Sequence, residues 1–169
     1  EPAGRETVPL YLYGAGHVGR EIVRVVEGLP FDLTWVDTAR DRFPERPPAH
    51  ARITAVKDPA AFALMTPPGA FHLVMTYAHP LDEAICTTLL KRNDFAHLGL
   101  IGSATKRARF EQRFRAAGIA GAVIQRLSCP IGVAGVTGKE PPVIAVAAVA
   151  ELITVLETRR RAAHGMPTG

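Results

Sequence analysis

The residues of this chain that could do chemistry sit beside turns. Leu10 to Tyr13 is an apolar run that passes directly into Gly14-Ala15-Gly16-His17-Val18-Gly19, the Gly-x-Gly-x-x-Gly spacing of a turn that receives a pyrophosphate. In such a turn Gly14 permits the tight bend, Gly16 lets the backbone approach the anion, and Gly19 lets the following helix pack against the strand. The anion would sit on free N–H groups at the positive end of that helix, with His17 close by. A second apolar segment, Phe31 to Val36, ends in Asp37, 18 residues after Gly19, where an acid that accepts ribose hydroxyls belongs.

Other candidates follow the same design. Thr76, His79 and Asp82 come directly after the apolar run Phe71 to Met75. Helical spacing would put His79 and Asp82 on one face, able to hold a metal, relay a proton or hydrogen-bond a heterocycle. The plainer alternative is that they cap a helix whose second residue is Pro80. Gly99-Leu100-Ile101-Gly102-Ser103 is another strand-to-glycine turn, with Lys106 one helical turn further on. Its N–H groups, hydroxyl and ammonium could form a second phosphate cradle, unless Ser103 serves only as a helix cap. Cys129, in Leu127-Ser128-Cys129-Pro130-Ile131-Gly132, has Arg126 nearby and is a better thiolate candidate than Cys86, which reads as buried in a helix. It could be a nucleophile, a persulfide carrier, a soft-metal ligand or simply a small hydrophobe. Two cysteines cannot make a four-cysteine zinc site and no histidine pair has zinc-finger spacing, so no structural zinc site is expected.

The elements that must position these residues alternate strand and helix, which argues for a parallel sheet covered on both faces. Strands are expected over 9–13, 32–36, 53–56, 71–75 and 98–101, and helices over 17–27, 81–92 and 104–117, with a short helix opening at Asp58-Pro59. Phe43-Pro44-Glu45-Arg46-Pro47-Pro48 cannot be a regular helix. Residues 126–140, with their glycines and Lys139, are expected to be irregular and functional. Pro141-Pro142 then opens a last helix, apolar almost all round from Val143 to Ile153 and therefore expected to be buried. The expected fold is α/β: a Rossmann-like three-layer sandwich with a mainly parallel sheet, one domain over 8–160, and flexible termini at 1–7 and 162–169.

Composition bounds the function. At 169 residues, 47% hydrophobic and 21% charged, the chain can bury one full core. The longest apolar run, Val143 to Ala150, is too short to span a membrane, and no signal-peptide pattern opens the chain. Two cysteines without a disulfide framework fit a reducing cytoplasm. The net charge of +4 is modest. The basic clusters at 106–115 and 159–161 belong to no recognised nucleic-acid-binding module, so they read as solvated helix faces rather than a nucleic-acid surface.

Taken in order, these motifs resemble the carboxyl-terminal Rossmann domain of the XdhC/CoxI family, accessory factors of molybdenum hydroxylases such as xanthine dehydrogenase. The resemblance runs from about Leu10 to Leu156. It is carried by the Gly14 to Gly19 turn with His17, Asp37 with Arg42-Phe43-Pro44, and Thr76-x-x-His79-x-x-Asp82. Gly99 to Ser103 with Lys106 and Phe110, Cys129-Pro130-Ile131-Gly132, Gly138-Lys139-x-Pro141 and Ile144-Ala145 complete it. Tyr77 departs from it, standing where a second histidine is expected.

The resemblance implies a cytoplasmic chaperone that binds molybdenum cofactor (molybdopterin), supports its sulfuration and delivers it to the target enzyme. Its partners would be a molybdenum hydroxylase apoenzyme and a sulfurtransferase, with no nucleic acid and no membrane. In that reading Gly14, Gly16, His17, Gly19, Asp37, Thr76, Gly102, Ser103, Lys106 and Lys139 bind the cofactor, while His79, Asp82 and Cys129 face its reactive end. Two alternatives stand beside it: an NAD(P)-dependent oxidoreductase, with His79 as its acid–base group, and a nucleotide-sensing module without chemistry. The last helix or the basic 106–115 helix could form a homodimer.

Overall fold

A parallel sheet covered on both faces needs strands whose side chains are apolar in both directions. The strands of this chain meet that need, and the computed structural model, which describes residues 6–165, shows them in one sheet. β1 (Val8–Tyr13), β2 (Phe31–Asp37), β3 (Ala51–Ala55), β4 (Phe71–Val74), β5 (His97–Leu100) and β6 (Leu127–Ser128) are all parallel, in the order β3-β2-β1-β4-β5-β6. Leu10 sits level with Leu33 on one side and Phe71 on the other, and Tyr13 with Val36 and Val74. The strand order reverses between β1 and β4, so the crevice at their carboxyl ends is the expected ligand position of an open α/β sheet.

Helices follow the strands: α1 (His17–Val25), α2 (Pro59–Leu64), α3 (His79–Arg92), α4 (Ala104–Ala116), α5 (Gly121–Ile124) and α6 (Pro141–Ala163). Alternation along the strands divides the interior into two cores. On one face Leu10, Leu12, Leu33, Trp35, Phe71 and Leu73 pack with Ile22 and Val23 of α1 and with Ala148, Val149, Leu152 and Leu156 of α6. On the other, Tyr13, Val36, Val74, Leu98 and Leu100 pack with Ile85, Cys86, Leu89 and Leu90 of α3 and with Phe110 and Phe114 of α4. Each fully buried Leu or Phe contributes about 1.5–3 kcal/mol by leaving water. The second core also holds His72, whose Nδ1 lies 3.0 Å from the Tyr13 hydroxyl. Burial pulls the His72 pKa down to about 3 and pushes that of Tyr13 up, so both are neutral and share the hydrogen bond.

Local chemistry sets the helix ends. Asp58 accepts from the Ala61 N–H at the start of α2, and Ser103 Oγ accepts from the Lys106 N–H at the start of α4. α3 begins at His79, two residues before its expected start, with Pro80 in its first turn. It closes on Asn93 in the left-handed conformation (φ 52°).

The structure departs from the sequence expectations in three places. First, Leu127 and Ser128, expected to be irregular, pair with Leu98 and Gly99 as a sixth strand; two residues carry no periodicity to read. Second, α6 is not buried all round. At 23 residues it is long and apolar enough by length and composition to cross a membrane, yet only one stripe, Ala145 to Leu156, packs against the sheet and α1, and Val146 is 56% exposed. A helix on the face of a sheet has neighbours on one side only. Third, Ala162 and Ala163, expected to be flexible, complete α6, and Arg160 donates to the Glu6 carbonyl. Of the expected flexible termini, residues 1–5 and 166–169 lie outside the described residues.

Candidate functional site

The Gly14 to Gly19 turn is held from several directions. Gly14 N–H donates to the Val36 carbonyl (2.8 Å), and Trp35 Nε1–H donates to the Gly14 carbonyl (2.8 Å). Arg20 Nε donates to the Ala15 carbonyl (3.0 Å), and the same guanidinium reaches the Arg42 carbonyl (2.9 Å). The three glycines are there for different reasons. Gly14 has φ +118°, and a Cβ there would lie 2.1 Å from the Met75 carbonyl oxygen; at Gly19 it would lie 2.4 Å from the Gly14 carbonyl oxygen. Both are demanded by the protein's own packing. At Gly16 a Cβ would meet nothing within 4 Å. Gly16 is also the N-cap of α1, where no side chain accepts from the first-turn N–H groups and no acidic residue lies in the first turn. Those donors have no acceptor within the helix.

Asp37, at the end of β2, is buried and turned inward. Its Oδ2 accepts from the Ala15 N–H (2.9 Å) and its Oδ1 from the Thr38 N–H (2.7 Å), with Arg42 Nε 3.7 Å away. It braces the glycine turn. Over it the Arg42 guanidinium stacks 3.5 Å from the centre of the Tyr77 ring, and the Tyr77 hydroxyl lies 3.4 Å from Thr38 Oγ1. Ala15, Gly16, Asp37, Arg42, Met75, Thr76 and Tyr77 enclose a cavity of about 170 Å³.

Asp82 and Lys106 pair with each other. The Asp82 side chain is 1% exposed; Oδ1 accepts from Thr76 N–H (2.8 Å) and Thr76 Oγ1–H (2.6 Å), and Oδ2 accepts from Lys106 Nζ (2.9 Å). Lys106 Nζ also donates to the Ile101 carbonyl (2.9 Å). The pair ties the carboxyl end of β4 to that of β5 and takes up Thr76 in the same network, while Lys106 also lines the cavity beside His79. His79, exposed at the first position of α3, instead lies edge-on to Phe110 with ring centres 6.3 Å apart. It borders a cavity of about 290 Å³ with Ser103, Arg109 and Arg113. His79 and Asp82 therefore make no joint ligand pair or proton relay.

Gly102, Ser103 and Lys139 do come together. With Pro130, Ile131 and Gly138 they line a cavity of about 350 Å³ between the end of β5 and the 130–139 loop. Cys129 lies behind this loop, only 5% exposed, joined to Pro130 by a cis peptide bond. Burial pushes its thiol pKa up, and Arg107 only partly opposes this, so the reactive thiolate expected from the sequence is disfavoured. The neighbouring cation is Arg107, which donates to the Leu127 (2.8 Å) and Cys129 (2.9 Å) carbonyls; Arg126 turns away to Asn93 and Phe95. Arg107 lies 22 residues from Cys129 in sequence and Arg126 only three, so packing rather than sequence distance chooses between the two arginines.

The sequence reading missed Glu151. Its Oε2 accepts from Ser128 Oγ–H (2.5 Å) and its Oε1 from Gly132 N–H (3.1 Å), and the buried His97 Nε2 lies 3.7 Å away. These hydrogen bonds outweigh the opposing effect of burial and hold the carboxyl below its ordinary pKa. Glu151 thus anchors the 129–132 segment to α6. Its signal was available: it is the one charge between Val143 and Leu156. A larger cavity, about 670 Å³, lies at the opposite end of the sheet beside Val8, Gly69 and Leu156, away from the carboxyl edge where open α/β sheets bind ligands.

The sequence pattern of the XdhC Rossmann domain matches residues 10–152. The chain belongs to the XdhC family. The XdhC match takes in most of β1 and the glycine turn at one end and the α6 stripe as far as Leu152 at the other, including Asp37, Asp82, Lys106, Cys129 and Glu151. The uncharacterized protein YqeB of Escherichia coli (strain K12) is 34% identical over 149 residues; the alignment covers 86% of this chain and 27% of YqeB. The chain therefore spans about a quarter of that relative's length. A Bacillus halodurans crystal structure described as a xanthine dehydrogenase superposes with a TM-score of 0.78 at 24% identity, over 92% of this chain and 44% of that one. It shares the XdhC-type Rossmann fold described above.

Proposed function

We propose that this XdhC Rossmann domain holds molybdenum cofactor in the cytoplasm, supports its sulfuration and passes it to a molybdenum hydroxylase apoenzyme. The observation that carries the reading is the open, uncapped amino end of α1 at Gly16. The protein's own side chains leave that cradle unfilled, and its free N–H groups suit the phosphate of a molybdopterin. When bound, the cofactor supplies the metal–dithiolene centre that the hydroxylase uses for redox chemistry. This chain's residues bind and orient. The first-turn N–H groups of α1 take the phosphate, Asp37 keeps the turn in shape, and Lys139 offers a cation at the neighbouring cavity. The Asp82–Lys106 pair sets the spacing of the β4 and β5 loops. Because Cys129 is buried and held as a thiol, sulfur is supplied by a separate sulfurtransferase partner rather than carried on this cysteine.

A nicotinamide-dependent oxidoreductase has the strand order and Asp37 in its favour. Asp37, however, already accepts from Ala15 and Thr38 and is covered by Arg42, which disfavours a ribose there. The test is titration of molybdenum cofactor, freshly released from a molybdenum hydroxylase, into the full chain and its Gly16→Asp variant. Asp at an N-cap favours the helix but repels an anion. Saturable binding that Gly16→Asp weakens at least about tenfold, with activation of the apo-hydroxylase on mixing, is expected. Absence of binding, or NADH binding with hydride transfer to a carbonyl, would overturn the reading.

A further inference from the structure

The cavity at Gly16 is too small for a whole cofactor. Sites that enclose a ligand of that size usually measure about 300–1,000 Å³, whereas this one measures about 170 Å³. A phosphate seated on α1, with the group next to it, would fill it. The remainder of the ligand must leave past the residues at its mouth, and two of those are Arg42 and Tyr77.

Tyr77 is unusual for a large ring in this fold, being 59% exposed. One face of the ring is covered by the Arg42 guanidinium at 3.5 Å. Among the described residues no aromatic ring or second cation stacks on the other face. The shelf is also braced. The Arg42 carbonyl is held by Arg20 (2.9 Å), Arg42 Nε lies near Asp37 (3.7 Å), and the Tyr77 hydroxyl lies near Thr38 Oγ1 (3.4 Å). A flat, exposed ring, oriented by a cation behind it at the mouth of an anion cradle, is a stacking platform.

We infer that Tyr77, backed by Arg42, is a stacking shelf that makes this site select phosphate esters bearing a planar heteroaromatic group. The inference rests on reading the carboxyl-edge crevice as a ligand site, and it names the ligand class and a specificity-determining residue for it. The Gly16 end holds the phosphate irrespective of what it carries; Tyr77 distinguishes a ring-bearing ester from a bare one. A pterin phosphate and a nucleotide share that chemistry.

The full chain, its Tyr77→Ala variant and its Tyr77→Phe variant are titrated calorimetrically with inorganic phosphate, ribose 5-phosphate, guanosine 5′-monophosphate and neopterin monophosphate. At least one ring-bearing ester should bind the native chain about 5- to 150-fold more tightly than ribose 5-phosphate, the range that stacking on an aromatic side chain supplies. Tyr77→Ala should erase that advantage and leave the affinity for ribose 5-phosphate within about twofold, while Tyr77→Phe keeps it. Thermal melts of the variants check that folding is unchanged, as the exposure of the ring predicts. A preference for neopterin monophosphate supports the shelf and the cofactor reading together. A preference for the nucleotide alone supports the shelf while counting against molybdopterin as the ligand. Equal affinity for ring-bearing and bare phosphates, equal loss on all probes in Tyr77→Ala, or no binding of any probe would overturn the inference.

Discussion

The Asp82–Lys106 pair makes a sharp test of whether these two residues serve architecture or ligand chemistry. In the native fold the carboxylate has three donors, Thr76 N–H, Thr76 Oγ1–H and Lys106 Nζ, all within 2.6–2.9 Å, and is almost fully shielded from water. Asp82→Asn leaves one oxygen for Thr76 and turns an NH2 group toward the ammonium, so Lys106 is left with the Ile101 carbonyl alone. Lys106→Met leaves a buried carboxylate that keeps its two Thr76 bonds. Breaking a buried pair from one side costs about 3–5 kcal/mol, because the remaining charge is stranded. The double variant Asp82→Asn/Lys106→Met strands no charge. It should therefore lose less than the sum of the single changes, by a coupling of about 1–3 kcal/mol. Urea or guanidinium unfolding of the four proteins, read as midpoint and slope, gives the cycle. Strict additivity, or two single variants as stable as the native chain but defective in ligand binding, would refute the architectural role and return both residues to the ligand.

The glycine turn predicts a contrast. Gly14→Ala forces an atom against the Met75 carbonyl at a positive φ and should cost more than about 4 kcal/mol, whereas Gly16→Ala should stay within about 1 kcal/mol of native stability by denaturant titration. Similar losses at both sites would contradict the distinction between packing and cradle. His72 predicts a pH dependence: its pKa is about 3 when folded against an ordinary value near 6.5, so between these values the unfolded chain binds the extra proton. Its contribution is complete above about pH 6.5 and lost as pH falls toward 3, by up to about 5 kcal/mol, and His72→Gln should flatten that part of the stability curve. The buried thiols predict slow chemistry. Under native conditions at neutral pH iodoacetamide should label neither Cys86 nor Cys129, and both should react in denaturant; rapid native labelling of Cys129 by mass spectrometry would contradict its burial.

Much of the fold was legible because the signals are local. An apolar run meeting Gly14, a proline after Asp58, and a serine before the helix at 104 each act within a few residues, so strand, cap and helix follow from sterics and nearby hydrogen bonds. Spacing alone assigns Gly14 the tight bend and Gly19 the close helix packing; the crowding of Gly14 against Met75 needed the tertiary structure. β6 was not legible, since two residues become a strand only when β5 offers them an edge. The candidate site was read less fully for the same reason: the types of its charged residues were visible, but their partners were not.

What the amino-acid order determined by itself, then, is the α/β alternation, the glycine turn and its uncapped helix. Tertiary structure alone decided how each side chain is used. Lys106 meets Asp82 across 24 residues, Glu151 meets Ser128 across 23, and Arg42 meets the ring of Tyr77 from another strand's loop. A charge has no preferred partner until folding removes the water between it and its neighbours, and the low dielectric and fixed geometry that result then bind it to one of them. That selection paired Asp82 with Lys106, left the amino end of α1 at Gly16 without a side-chain cap, and set Tyr77 beside it on the same cavity.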